Sequence, residues 1–255
     1  MILLRYIWRI IRQEIFKFIG VTTGRSFTQI PGRFLILAPH PDDEIFGCGG
    51  IIAKSVNDGQ KSKILFLSEG EASHKVCCNK SADQVGIRRK ALANEIAEII
   101  GLSASRLHFL SLKDGAFPHK GQEAFKRTAT LIANVIGNEL PEAVFCPHPF
   151  EGWADHIAAA ELTVAAINML PLESRPKIYY YCVWFWFSMP LSRVFHVKWR
   201  NARLLDITPY LGVKKKTMRT YLDALAPCGN PWVGKLPLEL LRAFEWNKEL
   251  YFKAD

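Results

Sequence analysis

Short apolar segments alternate with longer amphipathic segments along most of this 255-residue chain. Four strand-like segments come first: "RFLILAP", "KSKILFLSEGE", "RLHFLSL" and "EAVFCPH". Helix-like segments separate or follow them: residues 83–101, "EAFKRTATLIANVIGNEL" and "DHIAAAELTVAAINML". Strands that alternate with helices form βαβ units with right-handed crossovers. The sequence therefore predicts an α/β fold, a Rossmann-like and mainly parallel sheet flanked by helices, in a single domain.

The remaining segments extend this pattern. Two further strands are expected at "KIYYYCVWFWF" and "LLDITPY", and the second leads into a basic helix, "GVKKKTMRTYLDAL". A short helix is expected after the first strand, from about Gly50 to Asn57. The lysines at 214–216 are typical of a solvated helix face, with contact to a phosphate as the alternative.

The first 20 residues have a basic amphipathic pattern that is too charged to span a bilayer. At helical spacing the basic and amide side chains share one side and apolar side chains surround the other. Such a helix either lies in an anionic membrane interface through residues 2–19 or packs on the protein's own core or a partner. We expect residues 1–20 to form this helix, residues 21–31 a polar linker and residues 32–255 the α/β domain.

The formal net charge of +9 favours acidic partners: nucleic acid, a phosphorylated small molecule or an anionic membrane surface. The basic residues are spread along the chain and match no known nucleic-acid-binding module, so nucleic acid is not an expected partner. The six cysteines form no CxxC pair, which indicates a reducing, cytoplasmic location, with peripheral membrane association through the first helix as an option. Adjacent Cys77 and Cys78 are either a metal-responsive pair or an incidental loop pair.

Two polar clusters follow strand-like segments that are far apart in the sequence. "HPDDE" follows the first strand, and "HPFEGWADH" follows the fourth. Because the carboxyl ends of parallel strands lie at one edge of a sheet, the two clusters can meet there. Three adjacent acids indicate either a solvated loop or a cation site, and this convergence favours the cation.

The residue types of the two clusters suit a catalytic metal. Histidine nitrogen and carboxylate oxygen are ordinary zinc ligands, and a catalytic zinc takes three protein ligands and a water. "HPDDE" can supply two ligands from one turn, and His156 of the second cluster is the natural third, with Asp155 placed to orient it or a neighbour. An unused carboxylate of the first cluster can then take the proton of the attacking water. A site of this type could also hold iron or manganese.

The stretch "PHPDDEIFGCGG" resembles the signature of the PIG-L/LmbE-like zinc N-deacetylases, which remove acetyl groups from N-acetylglucosamine-type amino sugars. Weaker matches follow in order and extend the resemblance over about residues 32–225: "SEGE", "LKDGAF", "HPFEGWADHIAAA" and "LLDITPY". The resemblance implies a zinc ion held by His40, Asp43 and His156, with Asp42 as the general base.

The resemblance also implies supporting roles nearby. Glu44 is then not a ligand and braces the turn by hydrogen bonding. Gly49 and Gly50 would let the backbone pass close to the metal and the sugar.

One departure from the family pattern concerns proton transfer. Many members have His-Pro-Asp-His at the second cluster, where this chain has Trp153-Ala154-Asp155-His156. Trp153 cannot transfer a proton, but it can stack on a sugar or close the rim of the site. Either His148 or another nearby group takes over, or the metal alone polarises the carbonyl. The alternative is that His148 is a structural histidine at a strand end. The expected catalytic residues are Asp42, His148 and Asp155.

The expected function is a zinc-dependent deacetylase of an N-acetylated amino sugar in glycoconjugate or secondary-metabolite biosynthesis. The basic charge and the first helix suggest that this sugar carries a phosphate, nucleotide or lipid. Two alternatives remain open: a metal-containing binding or scaffold protein with weakened catalysis, and a hydrolase of another amide.

Overall fold

The computed structural model describes residues 2–75 and 77–255, and within them the strands form one eight-stranded sheet in the order β1-β7-β8-β6-β5-β2-β3-β4. The strands are β1 (Arg25–Ser26), β2 (Arg33–Ala38), β3 (Lys61–Phe66), β4 (Leu107–Phe109), β5 (Ala143–Pro147), β6 (Lys177–Tyr181), β7 (Ala202–Asp206) and β8 (Lys248–Lys253). The helices are α1 (Ile2–Thr23), α2 (Asp43–Asn57), α3 (Ala82–Ile100), α4 (Glu123–Glu139), α5 (Ala154–Asn168), α6 (Phe185–Ser188), α7 (Leu211–Asp223) and α8 (Leu238–Ala243).

The sheet is mainly parallel, as the alternation predicts. Strands β2 to β6 pair in parallel, and β1 pairs in parallel with β7. Strand β8, which the sequence analysis does not identify, runs antiparallel between β6 and β7. The predicted α/β fold is therefore confirmed, with one antiparallel strand that joins its C-terminal part.

Helices cover both faces of the sheet, and β2 shows why. Its side chains are buried on both faces of the sheet. Ile36 packs into a core with α2, α3 and α7, whereas Leu35 and Leu37 pack into a second core with α4 and α5. Successive strand side chains point to opposite faces, so a continuous apolar run indicates a strand buried on both. This burial agrees with the position of β2 inside the sheet, between β5 and β3, and the turn that follows it lies at the carboxyl-terminal edge of these parallel strands.

Helix α2 begins at Asp43, seven residues before the start that the sequence analysis expects. Its glycines serve close packing of the helix on its neighbours. A Cβ at Gly47 would lie 2.4 Å from the ring of Tyr181, and a Cβ at Gly50 would lie 2.3 Å from Ile207. A Cβ at Gly49 would lie 3.0 Å from the aliphatic chain of Lys214. The glycines therefore seat α2 against the rest of the domain, which differs from the role implied by the resemblance.

Lys214 is also not on a solvated face. It is 2% exposed and its ammonium lies 2.6 Å from Glu249, which also accepts the backbone N–H groups of Gly50 and Ile51. A charge that is buried with its partner in this way serves the structure, because an unpaired buried charge would be costly.

Helix α1 packs on the domain through the side that carries Arg12, Gln13 and the fully buried Phe16. Arg12 donates to the carbonyls of Trp186 and Phe187, and Gln13 donates to the carbonyl of Glu239 at 2.7 Å. The opposite side exposes a row of apolar side chains: Leu4, Ile7, Trp8, Ile11, Ile15, Phe18 and Val21. None of the described helices combines the length and the hydropathy needed to cross a bilayer.

Residues 21–31, which the sequence analysis expects to be a polar linker, contain regular secondary structure and buried side chains. It contains the last turn of α1 and strand β1, which pairs with β7. Phe27 and Ile30 of this stretch are buried in the core. These contacts attach α1 firmly to the domain.

Candidate metal centre and active site

The turn between β2 and α2 gathers the first polar cluster. The carboxylate of Asp43 folds back and accepts the backbone N–H of His40 at 3.1 Å. Asp42 caps the helix with φ at 139°, a left-handed backbone conformation that favours glycine. The carboxylate of Glu44 accepts the backbone N–H of Asp42 at 2.8 Å and the hydroxyl of Tyr221 at 2.7 Å. Glu44 thus braces the turn.

The second cluster brings His156 to the same place from the first turn of α5. Its Nε2 lies 3.4 Å from Asp43 Oδ2, and His40 Nδ1 lies 3.3 Å from the same oxygen. All three residues are buried, and one donor atom from each lies within 4.8 Å of the others. Two imidazoles and a carboxylate converge as a metal site requires.

The hydrogen bonding of His156 provides a test of whether a metal fits. Within the described chain neither ring nitrogen of this fully buried residue makes a well-formed hydrogen bond, although Nε2 lies 3.4 Å from Asp43 and Nδ1 lies 3.4 Å from Glu151. A buried polar atom without a partner costs about 1–3 kcal/mol. A divalent cation between His156 Nε2 and Asp43 would satisfy this nitrogen, so the residues present fit a metal.

Carboxylates behind the two imidazoles suit this arrangement. His40 Nε2 lies 3.0 Å from Asp114 and 3.3 Å from Asp155, which leaves its Nδ1 facing Asp43. His156 Nδ1 lies 3.4 Å from the buried Glu151. Carboxylates in these positions orient ligating histidines and raise their basicity.

Asp155 is therefore placed behind His40 and away from a reacting group. Its carboxylate also accepts the backbone N–H groups of Gly115 and Phe117, at 2.7 and 3.3 Å. These bonds attach the loop after β4 to α5.

Asp42 lies at the pocket surface beside the three converging residues. Its carboxylate is 3.4 Å from the guanidinium of Arg89, a buried side chain that also donates to the carbonyls of Pro41 and Gly70. Burial outweighs the attraction of Arg89 and raises the pKa of Asp42 to about 7. A carboxylate with a pKa near neutrality can both accept and return a proton.

His148 does not join this group. Four aromatic rings surround it at centroid distances of 4.9 to 5.8 Å, those of Phe150, Tyr180, Phe185 and Phe252. Its Nδ1 accepts the backbone N–H of Phe150 at 3.0 Å, and burial lowers its pKa to about 3. His148 borders a different cavity, so the structure places it as a structural histidine.

The pocket above the centre has a polar floor and apolar walls. It encloses about 250 Å³. Trp153 and Trp184 stack at its edge with centroids 4.6 Å apart. The floor contains His40, Asp42, Asp43, Arg89 and Asp114, and the walls include Trp153, Trp184, Val233, Leu236, Leu240 and Phe244. A ligand with a flat ring that has polar edges and apolar faces suits a pocket of this kind.

Comparison with known proteins agrees with this geometry. The family model described as PIG-L, GlcNAc-PI de-N-acetylase, matches residues 35–167, which is more than half of the chain. This chain belongs to the PIG-L family.

Individual relatives are similar to this chain over parts of their length. A diacetylchitobiose deacetylase of Thermococcus kodakarensis is 31% identical over 56% of this chain and 51% of its own. A 1D-myo-inositol 2-acetamido-2-deoxy-alpha-D-glucopyranoside deacetylase of Mycobacterium sp. (strain KMS) is 26% identical over 64% and 58%. The chain thus spans about half the length of the curated relatives it matches.

A solved structure supports the PIG-L fold over most of the chain. The zinc-inhibited form of a teicoplanin deacetylase superposes with a TM-score of 0.62 at 12% identity, and covers 88% of this chain and 99% of its own. At this identity the likeness concerns the fold alone.

Three polar residues of this PIG-L site are absent from the sequence-based candidates. Arg89 lies in a helix, Asp114 in "LKDGAF" and Glu151 in "HPFEGWADH". Asp114 and Glu151 lie within motifs that the sequence analysis quotes, and these motifs indicated that the two loops contribute to the site. Arg89 carried no such signal, because a helical arginine is normally solvated.

Proposed function

We propose that this PIG-L protein is a metal-dependent hydrolase that removes the acetyl group from an N-acetylated amino sugar. One observation carries the proposal: buried His40, Asp43 and His156 converge, and His40 and Asp43 line an open pocket together with Asp42. The names of the deacetylase relatives support the acetamido sugar as substrate class.

In this proposal His40, Asp43 and His156 hold the cation, and zinc suits the donor set, with iron or manganese as alternatives. When bound, the cation would acidify a water and polarise the amide carbonyl. Asp42 takes the proton from the attacking water, with Arg89 holding its carboxylate in place at 3.4 Å.

The leaving amine also needs a proton. His148 is enclosed by aromatic rings and does not border the pocket. Asp42 can return to the leaving amine the proton that it has taken from the water. One carboxylate then serves as base and acid in turn, and Asp155 and Glu151 orient the histidines.

Acetate release from N-acetylated sugars, free and linked to a phosphate, nucleotide or lipid, tests this proposal. The expected result is metal-dependent acetate release that Asp42→Asn suppresses and Asp58→Asn, an exposed control, does not. Metal binding without any acetate release would support the alternative of a metal-containing binding or scaffold protein, and release of another acyl group would show a different amidase.

For the carrier, the position of α1 is informative. Arg9 of α1 lies 3.1 Å from Glu239 of α8, and the next residue, Leu240, lines the pocket. Helix α1 thus packs beside a segment that lines the pocket, and its apolar row, with Trp8 and Phe18, is exposed on the opposite side of the helix. We propose that residues 2–19 rest on an anionic membrane surface and present a lipid-linked sugar to the domain formed by residues 32–255.

Flotation with anionic liposomes tests this attachment. Wild type should float with the vesicles, and Trp8→Glu with Phe18→Glu should remain in the dense fraction. Leu172→Glu is a matched control, because Leu172 is 78% exposed and far from α1 in sequence. Equal flotation of all three proteins would contradict the proposal.

A further inference from the structure

A second group of ligand-type side chains lies outside the metal centre. It contains His74, Cys77, Cys78 and Cys228, which we call the thiol cluster. The first three lie in the loop between β3 and α3, and Cys228 lies in the segment between α7 and α8. Two distant parts of the sequence therefore meet at four side chains of metal-binding type.

The distances within the thiol cluster are those of groups arranged around one point. His74 Nδ1 lies 2.9 Å from the sulfur of Cys77, 3.7 Å from that of Cys78 and 3.5 Å from that of Cys228. The sulfurs of Cys77 and Cys228 are 3.3 Å apart, and the four donor atoms lie within 4.8 Å of one another. Zinc bonds of about 2.3 Å to sulfur and about 2.0 Å to nitrogen give tetrahedral edges of roughly 3.5–3.8 Å.

The orientation of His74 is fixed by its other nitrogen. Nε2 donates to the carbonyl of Pro231 at 2.9 Å, and the side chain is buried beside Trp232. This bond places the proton on Nε2, so Nδ1 presents its lone pair to the three sulfurs. A backbone carbonyl behind the outer nitrogen is the usual partner of a ligating histidine. The amide of Asn230 lies 3.7 Å from the sulfur of Cys228 and can donate to it.

We propose that the thiol cluster binds a structural zinc ion. Three cysteines and one histidine complete a tetrahedral shell, so no position remains for water and the site is suited to a structural rather than a catalytic role. The observation behind this proposal is independent of the metal centre, since the thiol cluster shares no residue with it.

The zinc would join two segments that both contribute to the pocket. Ala72 and Ser73, which precede His74, line the pocket on one side. Val233 and Leu236, in the segment that follows Cys228, also line the pocket. The hydroxyl of Ser73 donates to the carbonyl of Trp232 at 2.9 Å, which joins the same two segments. The ion would hold this wall together without contacting the substrate.

Cobalt substitution of the full-length protein tests the proposal directly. Cobalt held by three thiolates gives intense thiolate-to-metal charge-transfer absorption in the near ultraviolet, whereas the His40, Asp43 and His156 site has no sulfur ligand. We expect this absorption in wild type and in His156→Gln, where the other site is lost, and its loss in Cys228→Ser. Zinc analysis should show about one equivalent less in Cys228→Ser than in wild type.

Cys146→Ser is the matched control, because Cys146 is a buried cysteine in β5 away from the cluster. It should keep the charge-transfer band and the zinc content of wild type. The wild-type spectrum alone decides the matter if Cys228→Ser does not fold. Cobalt-loaded wild type without a charge-transfer band would overturn the proposal. So would a metal-free Cys77–Cys228 disulfide, seen as the loss of two free thiols on titration.

Discussion

Two buried histidines that follow strand β5 differ in almost every chemical respect. His148 is surrounded by aromatic rings, and burial lowers its pKa to about 3. His156 is buried just as completely, but Asp43 and Glu151 overcome that burial and raise its pKa to about 9. Burial alone therefore does not identify a metal ligand or a proton carrier. The groups around the ring decide which role the imidazole can have.

The largest expected effect comes from replacing the imidazole of His156 by an amide, with the same replacement at His148 as the comparison. His156→Gln should lose the catalytic cation and lower acetate release by roughly 10⁴-fold, because both the acidified water and the polarised carbonyl are lost. Metal analysis and acetate release measure this. His148→Gln should keep the metal, and a His148→Gln protein without metal would break the comparison.

Asp42→Asn should reduce the rate of acetate release by roughly 10³-fold, because the amide cannot take the proton of the attacking water. The metal content should stay that of wild type, since Asp42 is not one of the converging ligand residues. Single-turnover acetate release together with metal analysis separates the two effects. A variant with unchanged rate would exclude Asp42 as the base.

Glu151→Gln tests the group that distinguishes the surroundings of His156 from those of His148. We expect the affinity for the catalytic metal to fall by about 10–100-fold, because Glu151 stands behind the outer nitrogen of His156. Competition with a chelator measures the affinity. Glu161→Gln, an exchange on the partly exposed side of α5, is the control and should leave the affinity unchanged.

The smallest expected effect concerns stability and pH. His148 binds its proton near pH 6.5 when unfolded but only near pH 3 when folded, so the unfolded state binds more protons between these values. This contribution to stability is present above pH 6.5 and is lost as the pH falls towards 3, at about 1.4 kcal/mol per pH unit.

Chemical unfolding between pH 6 and pH 4 measures this loss. His148→Phe should lose stability less steeply than wild type over that range. His196→Gln, which removes an exposed imidazole, should keep the slope of wild type. Equal slopes in wild type and His148→Phe would mean that the aromatic rings do not suppress protonation of His148.

The sequence predicted those site residues that lie next to one another in the chain or directly follow a predicted strand. "HPDDE" and His156 meet because parallel strands end at a common edge, and this follows from topology alone. Arg89 could not be found in the same way. In α3 the apolar Ile87 is 71% exposed, whereas the charged Arg89 is buried against the turn. Only the tertiary contacts show which side of that helix is inside.

The first helix shows the same limit. Its amphipathic pattern predicted a helix, and α1 is one, but periodicity does not say which side packs on the domain. The side with Arg12, Gln13 and Phe16 does, because Arg12 and Gln13 donate to carbonyls of α6 and α8 and Phe16 is buried in the core, which leaves the apolar row outside. Strand β8 was missed because "KELYFK" is short and follows no clear turn signal.

The positive φ of Asp42 gives its turn an evolutionary cost. A non-glycine residue held in such a conformation costs about 1–3 kcal/mol, and glycine would relieve this strain while removing the carboxylate. Selection for thermal stability and selection for turnover therefore oppose each other at this position. A lineage of this chain that no longer needs the reaction would be expected to drift there towards glycine.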